Sequence, residues 1–184
     1  MISLEPPRGV TAAYAPVNST PSEKDLWLLT GLSRAGLTRF LRAASTAVGI
    51  AGEVDVLLAG DATLRRLNRT FRGKNKATDV LSFPAPAEMS VHHAGDLAIS
   101  LETAAQQAAT HGHGLREEVR VLILHGLLHL HGMDHESDAG EMAQREAELR
   151  AELRLPVGLI ARVEQGSAKA QKTTQAATKK RRRA

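Results

Sequence analysis

Past residue 30 the apolar positions fall into two alternating periods. Leu37, Phe40, Leu41, Ala44 and Val48 recur at three- and four-residue steps, which predicts a helix with one apolar face. Ser33 stands where a helix is capped, and Gly49 and Gly52 end it. Val54, Val56 and Leu58 then alternate with other residues, the period of a strand. Gly60-Asp61 turns the chain into a second helix, with Leu64, Leu67 and Phe71 expected to face inward and Gly73 to stop it. Asp79 to Phe83 (DVLSF) reads as a buried strand closed by Pro84. Residues 85–94 read as a loop and 95–100 (GDLAIS) as a further short strand; residues 101–110, rich in Ala and Gln, read as a helix.

Residues 115–131 form the most hydrophobic stretch, with Val119, Leu122, Ile123, Leu127 and Leu130. It is apolar on nearly every side, which predicts a central helix rather than a surface one, ended by Gly132. Residues 139–153, rich in Glu and Arg, predict a last amphipathic helix before Pro156. Mixed strands and helices of this kind make a small α/β or α+β layer structure. The first 21 residues are rich in Pro, Ser, Thr and Asn, with room for one short strand that the pattern does not place.

Length and composition fit one domain with tails: the chain has 184 residues, 42% hydrophobic and 24% charged, which excludes wholesale disorder. The lack of cysteine excludes disulfides, thiolate zinc sites and a Cys nucleophile. No apolar run approaches the ~20 residues that span a bilayer, and the N-terminus lacks the basic start and apolar stretch of a secretory signal. The expected compartment is therefore the cytoplasm. The net charge of +4 is unevenly spread. Lys169, Lys172, Lys179, Lys180, Arg181, Arg182 and Arg183 have no acidic neighbour after residue 166; without them 17 basic face 20 acidic side chains. That tail is expected to be disordered, either as a solubilising end or as a weak, salt-sensitive attractor of phosphate backbones.

Chemistry concentrates in HGLLHLHGMDH, residues 125–135. His125 and His129 are four apart and so share one face of a helix. Gly132 can take a left-handed turn without steric cost and swing His135 back towards them. One buried His, or an i, i+4 pair alone, is usually core material; the glycine break and the third His shift the reading to a metal site. Three neutral imidazoles leave a fourth position open, as in catalytic rather than structural zinc sites. His131 projects elsewhere, and His92, His93, His111 and His113 read as loop residues. The spacing resembles that of metzincin peptidases, but their general-base Glu after the first His is Gly126 here, which makes peptide hydrolysis a poor fit.

Residues 65–76 (RRLNRTFRGKNK) hold six basic side chains and no acidic one. Arg65, Arg69 and Arg72 share a helix face, which is either simply solvated or placed to meet phosphates with planar guanidinium groups. Lys74 and Lys76 extend the same stretch as candidate RNA contacts. Aromatic residues make up 3% of the chain, which argues against base-stacking platforms.

LNRTFRGKNKATDVLSFP (67–84), GDLAIS (95–100) and HGLLHLHGMDH (125–135) together resemble the successive motifs of the YbeY family of bacterial rRNA maturation endoribonucleases. The resemblance runs from about Glu53 to Leu153. It implies an α+β single domain: a short four-stranded sheet around a central helix that carries the metal ligands, with several flanking helices. Residues 22–160 would form that domain, between a variable segment 1–21 and a basic tail 161–184. It also implies a single-strand-specific, zinc-dependent endoribonuclease that processes the 3′ end of 16S rRNA and serves ribosome quality control, with RNA and the small ribosomal subunit as partners. One Zn2+ per chain would be held by His125, His129 and His135, with Arg72 as the functional arginine near it. Ala77, His131 and Met133 depart from the family's usual residues. Asp134 and Asp96 are the carboxylates placed to orient an imidazole, or else turn residues. Zinc would act as a Lewis acid on the phosphate or lower the pKa of a bound water, with Arg72 stabilising the charge that gathers on the phosphate. The competing readings are a metal-dependent hydrolase of another substrate class and a non-catalytic ribosome-assembly factor with structural zinc.

Overall fold

The computed structural model describes residues 1–5, 27, 30–135 and 137–156. In chain order the elements are β1 (Ile2–Leu4), α1 (Arg34–Val48), β2 (Glu53–Ala59), α2 (Asp61–Arg72), β3 (Val80–Pro84), β4 (His93–Ser100), α3 (Leu101–His111), α4 (Leu115–Leu130) and α5 (Glu141–Glu152). The strands lie in the order β1-β2-β4-β3; β1, β2 and β4 are parallel, and β3 runs antiparallel to β4. This is an α+β architecture with a four-stranded sheet, as the sequence motifs imply. Most of segment 1–21 and the whole of tail 161–184 lie outside the described residues.

Period-2 alternation sorts the strand residues onto two faces. On the inner face Ile2, Leu4, Val54, Val56, Leu58, Leu97 and Ile99 join α1 and α4 in one large core. Helix α1 buries Leu37, Phe40, Leu41, Ala44 and Val48, the five positions its pattern predicts, and the Ser33 hydroxyl accepts from the Gly36 N–H at 3.2 Å. Helix α4 buries ten of its 16 residues, which makes it the central helix. On the outer face α2 covers a much smaller cluster of Ala59, Leu64, Leu81 and Ala98, edged by Leu57, Leu67 and Phe83.

Four expectations change. The short strand that the N-terminal segment allowed is β1, which adds its row to β2 through Ile2 and Leu4. The DVLSF strand is an edge strand with Leu81 as its buried residue, because nothing pairs beyond it among the described residues. Asp79 precedes it and accepts from the Val80 N–H at 2.8 Å and from Gln107 Nε2 at 3.0 Å. Strand β4 starts at His93, and His111 closes α3, so neither is a loop residue. Phe71 is 64% exposed rather than inward. Asn68 takes the buried place on that turn of α2, where its Nδ2 donates to the Lys76 carbonyl at 2.8 Å and folds the following loop back on the helix.

Candidate metal centre

The site is built on the C-terminal end of α4 and the turn that follows it. Packing sets the rotation of the helix: Val119, Leu122, Ile123, Leu127 and Leu128 are all fully buried. Gly126 lies where α4 meets the sheet. A Cβ there would be 2.7 Å from Leu97 Cδ2 and 3.3 Å from Ser82 Oγ. The Ser82 hydroxyl donates to the Gly126 carbonyl at 3.3 Å. The position after the first histidine therefore faces strands β3 and β4 and not the imidazoles, and a general base could not be placed there.

The reversal after α4 follows its glycine. The His131 N–H donates to Leu127 O at 2.9 Å, Gly132 N–H to His129 O at 3.0 Å, and Met133 N–H to Leu128 O at 3.1 Å. Gly132 has φ +91, a conformation that glycine adopts freely. The turn brings His135 back over the helix end. Ring centroids of His125 and His129 are 4.8 Å apart, and His135 lies 5.3 Å from each. One ring nitrogen from each residue lies within 4.8 Å of the others. His125 Nε2 and His129 Nε2 are 3.2 Å apart. Ligands on a tetrahedral ion with Zn–N of about 2.0–2.1 Å are about 3.3 Å apart, so this pair is already at ligand spacing. His125 is buried, His129 half-buried and His135 exposed, so the centre opens to solvent on one side. Burial, with the two neighbouring imidazoles, holds the His129 pKa below its usual value, while Asp134 acts in the opposite sense. A neutral ring is the form that binds a metal.

A carboxylate that the sequence reading did not single out contacts one of the three imidazoles. His125 Nδ1 lies 2.9 Å from Glu146 Oε2 on α5, and Arg150 Nη1 donates to Glu146 Oε1 at 3.2 Å. The signal was in the spacing: Met142, Glu146, Leu149 and Arg150 form one buried stripe of α5, so two charged residues stand on a core-facing row. Asp134 is exposed and closes the turn, its Oδ2 accepting from Ser137 Oγ at 3.2 Å. Asp96 is on the outer face, with its carboxylate 3.4 Å from His93 Nε2. There it lines a cleft of about 480 Å³ with Leu67, Phe71 and Phe83, across the sheet from the imidazoles.

Arg65, Arg69, Arg72, Lys74 and Lys76 are all exposed, and Arg65 Nε donates to Asn75 Oδ1 at 2.8 Å. They lie on and just after α2, so the structure does not join them to the triad by any contact. The C-terminal turn of α2, which carries Arg72, and the end of α4 do share one end of the sheet: Phe71 packs edge-on against Phe83 at 5.2 Å, and a Cβ at Gly95, which pairs with Pro84, would meet Leu130 at the end of α4. His131 is exposed. His113 pairs with the buried carboxylate of Glu118, a partner its loop position did not suggest.

No helix among the described residues is long and apolar enough to cross a membrane. A sequence model described as Endoribonuclease YbeY matches residues 30–154. The chain is 51% identical over 144 residues to a protein named Endoribonuclease YbeY from Koribacter versatilis, covering 78% of this chain and 93% of that one. It is 50% identical over 133 residues to the protein of the same name from Solibacter usitatus, covering 72% and 88%. It is 38% identical over 149 residues to that of Helicobacter pylori strain Shi470, covering 80% and 96%. A match over this much of the chain, containing all three converging histidines, places the protein in the Endoribonuclease YbeY family.

Proposed function

We propose that this protein is a zinc-dependent endoribonuclease that cleaves single-stranded RNA, working in the cytoplasm on the 3′ end of 16S rRNA and in ribosome quality control, in contact with the small subunit. The observation that carries the reading is the convergence of His125, His129 and His135, with one ring at the surface. All-nitrogen, neutral, three-point donation suits zinc and leaves an open position for a reacting group. The bound ion supplies Lewis acidity towards a phosphate oxygen.

The rest is done by the chain's own residues. Glu146 fixes the His125 ring, and burial keeps His129 uncharged. The exposed side of His135 leaves room for a phosphate. Arg72, with Arg65, Arg69, Lys74 and Lys76, offers charge to the RNA backbone from α2 and its following loop. Because Arg72 and the imidazoles flank the same end of the sheet, a strand passing over the β3 edge would meet both, with the other cations further along its path. In this reading Arg72 stabilises charge on the reacting phosphate, and Asp134 tunes the turn that presents His135. Residues 22–160 form the catalytic unit.

Metal analysis of the purified full chain, joined to cleavage of single-stranded RNA with and without chelator, tests the proposal. The expected result is about one zinc per chain, with cleavage lost on chelation and restored by zinc. His129→Ala should lower the cleavage rate by about 100-fold or more while the metal-free melting temperature stays close to the parent's. Intact RNA alongside hydrolysis of an unstructured protein would overturn the substrate class. A His129→Ala chain that no longer folds would favour structural zinc.

A further inference from the structure

We infer that Glu146, clamped by Arg150, is the positioning residue that makes His125 a competent metal ligand, and that metal affinity is thereby coupled to the docking of α5. This rests on the metal-centre reading above. An ionised carboxylate only accepts hydrogen bonds, so the 2.9 Å contact to Glu146 Oε2 makes Nδ1 the protonated nitrogen of His125. The lone pair then lies on Nε2, the atom 3.2 Å from His129 Nε2. The tautomer and ring plane of the most buried ligand are thus set from a different helix, 21 residues further along the chain.

The clamp has little freedom of its own. Glu146 and Arg150 are 1% and 3% exposed, and Glu146 is held at both oxygens, by His125 and by Arg150. The Arg150 Nε donates to the Pro156 carbonyl at 2.5 Å. Buried charges are kept only where paired, and this pair shares the buried stripe of α5 with Met142 and Leu149. Arg145 Nη2, which donates to the Ala47 carbonyl at 2.9 Å, ties the same helix to α1. The helix that follows the metal turn is therefore its back support. Binding and docking favour each other by the same factor.

Chelator competition on the full chain measures the zinc affinity. Glu146→Gln keeps the shape and removes the charge. Glu146→Leu with Arg150→Met replaces the pair by apolar groups and leaves no unpaired guanidinium. We expect zinc binding about 10–100-fold weaker in the double variant, smaller losses in Glu146→Gln, and a metal-free melting temperature in the double variant no lower than the parent's. Leu149→Ala, which loosens α5 without touching His125, should lower the melting temperature and, through the same linkage, weaken zinc binding by less than the double variant does; unchanged zinc affinity in a loosened α5 would break the coupling. Zinc should also slow amide exchange along α5 in the parent and not in the double variant. A double variant that binds zinc as tightly as the parent, or a parent whose α5 exchange ignores zinc, overturns the inference. A parent that binds no zinc overturns the metal-centre reading instead.

Discussion

Among the described residues, α1 and α4 enclose a core of 23 buried apolar residues on one face of the sheet, and on the other α2 covers four. The imidazoles belong to the thick side and the basic row to the thin one. A metal centre needs its donors held to a fraction of an ångström, and dense packing behind His125 supplies that. Phosphate contacts tolerate long, mobile side chains that reach from a surface helix. Precision is thus found where burial is deep, and adaptable charge where it is shallow.

Substitutions on the two faces should separate these roles. Leu128→Ala, fully buried on the thick side, is expected to cost about 2–5 kcal/mol in denaturant unfolding. Gly126→Ala should cost about 1–3 kcal/mol, because its methyl meets Leu97 and Ser82. Phe71→Ala on the thin side should stay within about 0.5 kcal/mol. Equal losses on both faces would erase the contrast. Next in size, Arg72→Glu should lower kcat/KM on single-stranded RNA by about 10–100-fold, the worth of a lost charge-assisted hydrogen bond, with the melting temperature unchanged. Undiminished cleavage would remove Arg72 from the reaction.

The smallest effect expected is on pH dependence. Because burial lowers the His129 pKa from 6.5, the folded, metal-free chain binds fewer protons there than the unfolded one. The associated stability is full above about pH 6.5 and is lost as pH falls through the lowered native value. Melting of the chelated protein should drop from pH 7 to pH 5, and less so in His129→Gln. An identical drop in that variant would assign the effect to other groups.

Local pattern was enough for α1, β2 and α4: periodicity marks all three, a serine caps α1, and glycines follow both helices. It was not enough for β1, because three residues carry no period and gain their strand only by pairing with β2. Phe71 was misplaced for a related reason. Apolar spacing shows which positions share a helix face, not how far the facing sheet extends or that Asn68 finds a carbonyl partner inside.

The three histidines were readable in sequence because all lie within eleven residues of one helix end, where helical geometry and one left-handed glycine fix their mutual positions. Glu146 was not, although its stripe on α5 was visible. A carboxylate contact across 21 residues depends on how two helices cross, and that is decided by the packing of Met142 and Leu149 into the common core. The side of the sheet taken by the basic helix was likewise settled by strand alternation summed over the whole sheet. Short-range periodicity therefore determined which histidines converge, and long-range packing determined what supports them and where the cations stand.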